Sequence, residues 1–423
     1  PIDNQMPLDR VKLILNTVGP AAVIYDATTE DNIRELGLED ISVSFDDISR
    51  GEPDEELLRE IRSNICQTDT MYALFTSGST GVPKGVMISH LAAVDCIEWA
   101  VSVFNLDDSI RICNQAPFYF DLSVLDIYVA VKTGGTLYVP PKTYYTFPSK
   151  VLKYMDDNQI NFINWAPSAY CNVVNTGAFE TCVPRFLKHA WFIGEVMPCK
   201  HLNVWRKYLP DVQYVNTYGP TEATYACMYY IIDREFPDDG NIPLGRACEN
   251  SRILLLDEEG KPVKDGEMGE ICVTGQCLSG GYCRNPGQTA KAFVTNPLND
   301  RWAERMYKTG DLAYIDEAGD MIFAGRNDSQ IKRLGYRIEL GEIERVILAV
   351  PGIENACCMY DQVKSDIIAV YTGNSSEDDL LDILTDKIPN YMLPGQLIKL
   401  EEMPLNLNGK IDRPLLKKTY ITQ

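Results

Sequence analysis

The sequence predicts an α/β (α+β) protein, with a large N-terminal lobe of mixed sheets and helices followed by a small C-terminal α+β lobe. Three observations carry that expectation. The chain has 423 residues, and roughly 150 residues per domain allows two to three domains. Apolar runs of strand length alternate with segments whose apolar residues recur at helical spacing. From about Ile253 the strands become shorter and hairpin-like, and Ser329 to Gln423 carries a small pattern of its own.

In chain order, Val11, Leu13, Ile14 and Val18 have rough helical spacing, and Ala21 to Ile24 reads as a strand. Met71 to Phe75 is an apolar strand and Thr76 to Gly85 a loop of small residues. Ser89 is placed to cap a helix whose buried face is predicted at Leu91, Val94, Ile97, Val101 and Phe104. Strands follow at Thr136 to Val139, Ile160 to Trp165, Ala190 to Ile193 and Val212 to Val215. Ile253 to Leu256 and Glu270 to Val273 are separated by turn residues. Met321 to Ala324 is a strand, Gly341 to Val350 a helix with Ile343, Val346, Ile347 and Val350 on one face, and Ile367 to Tyr371 a strand.

Composition narrows the function. Apolar residues make up 45% and charged residues 23%, which excludes wholesale disorder. There are 60 acidic against 39 basic residues, a net charge of −21. So acidic a chain is a poor partner for nucleic acid or an anionic membrane. No stretch approaches the roughly 18 apolar residues of a transmembrane helix, and the first residues do not form a signal peptide. Between Asp26 and Asp69, 14 acidic residues face only Arg34, Arg50, Arg59 and Arg62; a solvated flank is the reading. The 13 cysteines are scattered, with no CxxC pair, so neither a zinc site nor a disulfide framework is indicated, and a reducing cytoplasm is expected. His90, His189 and His201 are far apart in sequence, which weakens a hydrolase reading.

The strongest motif is Leu74-Phe75-Thr76-Ser77-Gly78-Ser79-Thr80-Gly81-Val82-Pro83-Lys84-Gly85. Glycines let the backbone approach an anion and point N–H groups at it. The hydroxyls of Thr76, Ser77, Ser79 and Thr80 add donors, and Lys84 adds positive charge. Read as strand, loop, helix, it has the form of a polyphosphate site. It is not a Walker A loop, because Lys84 lies between Pro83 and Gly85.

Further motifs follow in order: Asn216-Thr217-Tyr218-Gly219-Pro220-Thr221-Glu222, Gly280-Gly281-Tyr282, Tyr307-Lys308-Thr309-Gly310-Asp311-Leu312, Gly325-Arg326-Asn327-Asp328, Gly335-Tyr336-Arg337-Ile338-Glu339, Pro389 to Pro394, and Asn408-Gly409-Lys410-Ile411-Asp412-Arg413. Together with the loop they resemble the adenylate-forming superfamily of acyl-CoA synthetases, firefly luciferase and the adenylation domains of nonribosomal peptide synthetases. The resemblance covers essentially the whole chain. The run Phe120-Asp121-Leu122-Ser123-Val124-Leu125-Asp126-Ile127-Tyr128, with Gly194-Glu195-Val196-Met197-Pro198, is especially similar to D-alanine–carrier-protein ligases.

The resemblance implies two steps. A carboxylate attacks the α-phosphorus of ATP to give an aminoacyl adenylate, and a phosphopantetheine thiol on a carrier protein then takes the aminoacyl group. It assigns nucleotide binding to Thr76, Ser77, Gly78, Ser79, Thr80, Gly81, Lys84, Asn216, Thr217, Tyr218, Gly219, Thr221, Asp311, Arg326 and Lys410. Tyr218 would stack on adenine and Asp311 would accept the ribose hydroxyls. Lys410, Arg326 and Thr80 are the implied catalytic residues, Lys410 bridging substrate carboxylate and α-phosphate. Glu222 is the implied magnesium ligand. Asp121 would pair with the substrate ammonium. Leu122, Leu125, Asn164, Trp191, Ile193, Thr217, Tyr225 and Ala226 would line the pocket, and their bulk implies a small amino acid, D- or L-alanine first. Asp328 matches a hinge, dividing a large lobe at 1–327 from a small mobile lobe at 328–423. Relatives carry a longer segment before the Pro1-Ile2-Asp3 region, so the large lobe is read as N-terminally incomplete. Two other readings stay open: an acyl- or aryl-CoA synthetase, and an inactive nucleotide-binding module.

Overall fold

A computed structural model describes residues 1–78, 82–327, 330–406 and 411–421. The chain divides into two compact units: Gln67–Leu74 with Val86–Asp328, and Pro1–Cys66 with Phe75–Gly85 and Ser329–Gln423.

The first of these is built on a seven-stranded sheet. Its strands are β1 (Arg111–Asn114), β2 (Thr136–Tyr138), β3 (Phe162–Trp165), β4 (His189–Phe192), β5 (Gln213–Tyr218), β6 (Met228–Ile231) and β7 (Arg246–Ala247). Their spatial order is β7-β6-β5-β4-β3-β1-β2. The first five in the chain run parallel, and β6 and β7 are antiparallel additions. Helix α1 (His90–Phe104) precedes the sheet. The crossovers carry α2 (Asp121–Thr133), α3 (Pro148–Asp157), α4 (Pro167–Asn175) and α5 (Cys199–Tyr208).

Side-chain alternation sets the two faces of this sheet. Cys113, Ile163, Ala190, Phe192 and Tyr214 pack with residues of α3, α4 and α5. Their neighbours Ile112, Phe162, Trp191 and Val215 pack with residues of α1 and α2. The strand after β1 lies on one side of it and the strand β3 on the other. Thus β1 and β3 form the point where the strand order reverses, and ligands of open α/β sheets bind beyond the carboxyl ends of such strands.

Two sequence expectations shift here. The Thr76 to Gly85 loop is followed by a strand, Lys84–Ser89, not directly by a helix. Val86 and Ile88 are fully buried, so the period-2 burial of this short run outweighs the helical pattern after it. Ser89 does cap α1, its Oγ accepting from the N–H of Ala92 at 3.2 Å. The buried face of α1, however, is Ala92, Ala93, Cys96, Ile97, Trp99, Ala100 and Phe104, and Val94 is exposed. Small side chains let a helix approach its neighbours closely, and spacing of large apolar residues does not reveal that.

A second sheet in this unit contains Ser251–Leu256, Gly269–Gly275, Arg305–Ile315, Phe293–Thr295 and Met321–Arg326. In the other unit, the three-stranded sheet Ile353–Asp361, Asp366–Gly373 and Gln396–Leu400 is covered on both faces. Ala356, Cys358, Ile367 and Ala369 point to one cluster, and Cys357, Met359, Ile368 and Val370 to the other. Across residues 26–66 of that unit, Ile33 is the one buried side chain; the acidic run there is a solvated flank. Among the described residues no helix is long and apolar enough to cross a membrane.

Candidate functional site

Asp311 lies within the strand Arg305–Ile315, 1% exposed, and is not a turn residue. Its cross-strand partner is Arg326, on Met321–Arg326. The Arg326 guanidinium pairs with Asp311 Oδ1 and also donates to the Thr309 carbonyl at 3.1 Å. The Tyr218 hydroxyl donates to Asp311 Oδ2 at 2.6 Å. Tyr218 ends β5, so three motifs from distant parts of the chain converge on one carboxylate. Each carboxylate oxygen that takes one donor keeps a second lone pair, which leaves capacity for a pair of vicinal hydroxyls. Burial, and then the negative Asp311, hold the Tyr218 phenol protonated well above its ordinary range.

Glu222 is in the short helical turn Thr221–Ala223, 1% exposed, and its Oε1 accepts from the Tyr282 hydroxyl at 2.8 Å. A magnesium ion commonly uses one carboxylate plus phosphate oxygens and water. A buried carboxylate suits that donor set. Among the described residues no group of three His, Cys, Asp or Glu side chains could hold a metal.

The turn from Gly219 to Ala226 is tightly determined. Thr224 and Tyr225 both adopt left-handed backbone, with φ of 51° and 69°. Such strain persists where surroundings over-determine it. Here the Thr224 hydroxyl donates to the Cys277 carbonyl at 2.7 Å, and the Ala226 N–H to the Thr224 carbonyl at 2.9 Å. A Cβ on Gly219 would stand 2.4 Å from the Tyr225 carbonyl oxygen, so glycine is required for close approach.

Of the residues that the family pattern assigns to the amino-acid pocket, Leu122, Leu125, Trp191, Ile193, Tyr225 and Ala226 belong to one buried cluster. Asn164 and Thr217 join it through polar contacts: the Tyr225 hydroxyl donates to Asn164 Oδ1 at 2.9 Å and lies 3.4 Å from Thr217 Oγ1. Trp191 also packs against Trp99 and Phe104 at a tilt and against Phe162 edge-on. Asp121 occupies the first turn of α2; the cap position is Phe120. The Asn216 amide donates to the Pro243 carbonyl at 2.8 Å.

Sequence pattern assigns Glu195 no role and does not single out Asn114 or Asp126. Glu195 Oε2 accepts from the Ser168 N–H at 3.1 Å, in the first turn of α4. Asp126 is fully buried on α2, with Asn114 Nδ2 donating at 2.9 Å and Asn164 Nδ2 at 3.2 Å. Burial pushes its carboxyl up to about 7, against the pull of the two amides. A charged residue set between apolar neighbours on an apolar helix is the available signal.

The phosphate-loop residues lie in the other unit. Gly78 could carry no side chain, since a Cβ would be 2.1 Å from the Val82 carbonyl oxygen. Its N–H donates to Glu342 Oε2 at 3.3 Å, and the Ser77 hydroxyl donates to the Arg337 carbonyl at 2.7 Å. Glu342 is itself buried and paired with Arg10; burial raises its carboxyl pKa despite Arg10. Thr76 ends the strand Thr70–Thr76 and Lys84 begins Lys84–Ser89. Ser79, Thr80, Gly81, Asp328 and Lys410 lie outside the described residues.

The model of the family described as AMP-binding enzyme matches residues 1–283. A D-alanine–D-alanyl carrier protein ligase of Bacillus cereus is 34% identical over 98% of this chain and 83% of its own. The crystal structure of IdnL1 superposes with a TM-score of 0.81 at 26% identity, covering 96% of this chain and 82% of that one. The structure of holo-AB3403, a four-domain nonribosomal peptide synthetase bound to AMP and glycine, matches with a TM-score of 0.67 at 27% identity, covering 100% of this chain and 31% of that one. The chain belongs to the AMP-binding enzyme family, the adenylate-forming superfamily that its ordered motifs resemble.

Proposed function

We propose that the protein activates a small amino acid, alanine of either hand first, as its adenylate and transfers it to the phosphopantetheine thiol of a carrier protein. The observation that carries this reading is the buried cluster around the first turns of α2, where Asp121 heads a helix whose Leu122 and Leu125 pack with Trp191, Ile193, Tyr225 and Ala226. A carboxylate among bulky apolar side chains favours a substrate with an ammonium group and a small side chain. The relative named as a D-alanine–D-alanyl carrier protein ligase supports the same substrate class.

In this reading Asp311 accepts the ribose hydroxyls, held by Arg326 and Tyr218, and the Tyr218 ring lies against adenine. The loop Thr76 to Lys84, with Ser79, Thr80 and Gly81, donates to phosphate oxygens through N–H and hydroxyl groups. Lys84 offsets polyphosphate charge, and Lys410 draws the substrate carboxylate and α-phosphate together. Glu222 would hold magnesium, which when bound screens phosphate charge. Asp328 is the proposed hinge between a lobe at 1–327 and one at 328–423, so that Lys410 serves adenylation alone. Thirteen free thiols suit a reducing cytoplasm.

The test is ATP–pyrophosphate exchange across the twenty amino acids and D-alanine. Exchange with a small amino acid is expected. Exchange with none of them would refute the reading.

A further inference from the structure

Asn114 ends β1 and Asn164 is its registered partner on β3, at the point where the strand order reverses. Both side chains face the α2 side of the sheet, as Ile112 and Phe162 do two positions earlier. Asp126 reaches down from α2 and accepts from both amides, one on each oxygen. The Asn164 amide is thereby oriented, with Nδ2 toward Asp126 and Leu122 O and its Oδ1 toward the Tyr225 hydroxyl. Tyr225 belongs to the strained turn packed against Gly219. One buried carboxylate therefore sets the direction of a chain of hydrogen bonds running from the strand ends to that turn.

We propose that Asp126 is a positioning residue for amino-acid binding, which in its ionised form holds Asn164, and through it Tyr225, in the binding-competent arrangement. The proposal rests on the reading that this cluster takes the amino acid. Ionisation matters because two –NH₂ groups face the carboxyl. The anion accepts from both. The protonated acid carries an O–H that needs an acceptor of its own, and its hydroxyl oxygen accepts only weakly, so the hold on one amide loosens and Asn164 is freer to turn.

The groups around Asp126 do not titrate in the same range. They are Cys113 on β1, Tyr145 on the helix Lys142–Thr146, Tyr170 on α4 and Tyr225. Burial pushes the Cys113 thiol up to about 12 and the three phenols well above their ordinary range. Among the described residues no cation stands against Asp126. Its own carboxyl, at about 7, is the group that changes charge near neutrality.

The experiment measures KM for D-alanine and KM for ATP by pyrophosphate exchange in the wild type and in Asp126→Asn. The full chain is used throughout. In the wild type, KM for D-alanine should rise roughly tenfold between about pH 8 and about pH 6 while kcat and the ATP KM stay level. Asp126→Asn has one acceptor oxygen for the two amides and cannot ionise, so its D-alanine KM should be raised and independent of pH. A flat wild-type D-alanine KM overturns the proposal, whether or not the variant folds. Parallel pH profiles in wild type and variant overturn it as well. Absence of exchange with any amino acid would instead remove the functional reading beneath it.

Discussion

Replacing Gly219 by alanine tests whether the turn that carries Tyr225 is as closely fitted as the structure shows. The added Cβ would lie 2.4 Å from the Tyr225 carbonyl oxygen, 2.7 Å from Ala226 Cα and 2.9 Å from the Tyr225 carbonyl carbon. All three are backbone atoms, so no rotamer change relieves the contact. Retreat is blocked, because the turn is tied to Cys277 through Thr224 and to Tyr218 through the Cys227 N–H at 2.8 Å. Overpacking of this kind costs about 1–3 kcal/mol. Displacing Tyr225 from Asn164 adds about 1 kcal/mol for a lost buried hydrogen bond. The expected destabilisation is therefore about 3 kcal/mol, read from urea unfolding, with a raised D-alanine KM in pyrophosphate exchange. Two control substitutions calibrate the argument. Gly194 has open space but a φ of +99°, so alanine there costs only the left-handed strain of about 1–2 kcal/mol. Gly341 has open space, no positive φ and a helical position, so alanine should stabilise by about 0.5–1 kcal/mol. A Gly219→Ala protein within about 0.5 kcal/mol of wild type, with an unchanged KM, would refute the reasoning.

Three further outcomes are expected. The Asp126 carboxyl is raised from 3.8 to about 7 on folding, so between those values the native chain holds a proton that the unfolded chain has lost. Its contribution to stability is full below the lower value and is lost as pH rises, by about 3 kcal/mol from pH 5 to pH 8; unfolding of Asp126→Asn should lack that slope, and parallel curves would contradict it. Tyr218→Phe removes a 2.6 Å donor from the buried Asp311, worth about 1.5–3 kcal/mol, and should raise the ATP KM at least roughly tenfold while leaving the D-alanine KM near wild type. Lys410→Ala should abolish pyrophosphate exchange yet spare thiol loading from preformed adenylate; equal loss of both would count against a lysine confined to the first step.

Much of the fold and the nucleotide motifs is legible in local order. Strand Thr70–Thr76, the Ser89 cap of α1, and the antiparallel pair Ser251–Leu256 and Gly269–Gly275 follow from short-range pattern and turn residues. The buried face of α1 is not legible in that way, because its core contacts are made largely by alanines and a cysteine, which carry little periodic signal. The strand Lys84–Ser89 escapes detection because six residues between a loop and a long helix give period 2 little room.

By itself, the sequence determined which residue types were available and where each could begin a helix, end a strand or leave room for an anion, because those properties depend on neighbours a few positions away. Tertiary structure decided what each charged side chain faces. Asp311 meets Tyr218 from 93 positions away, Asp126 meets Asn164 from 38, and Gly78 meets Glu342 from 264. A carboxylate's ionisation and its accepted hydrogen bonds are set by burial and by the donors around it. Those donors come from other elements, so the same aspartate that reads as an ordinary helix residue in sequence becomes, once folded, the acceptor that orients its neighbours.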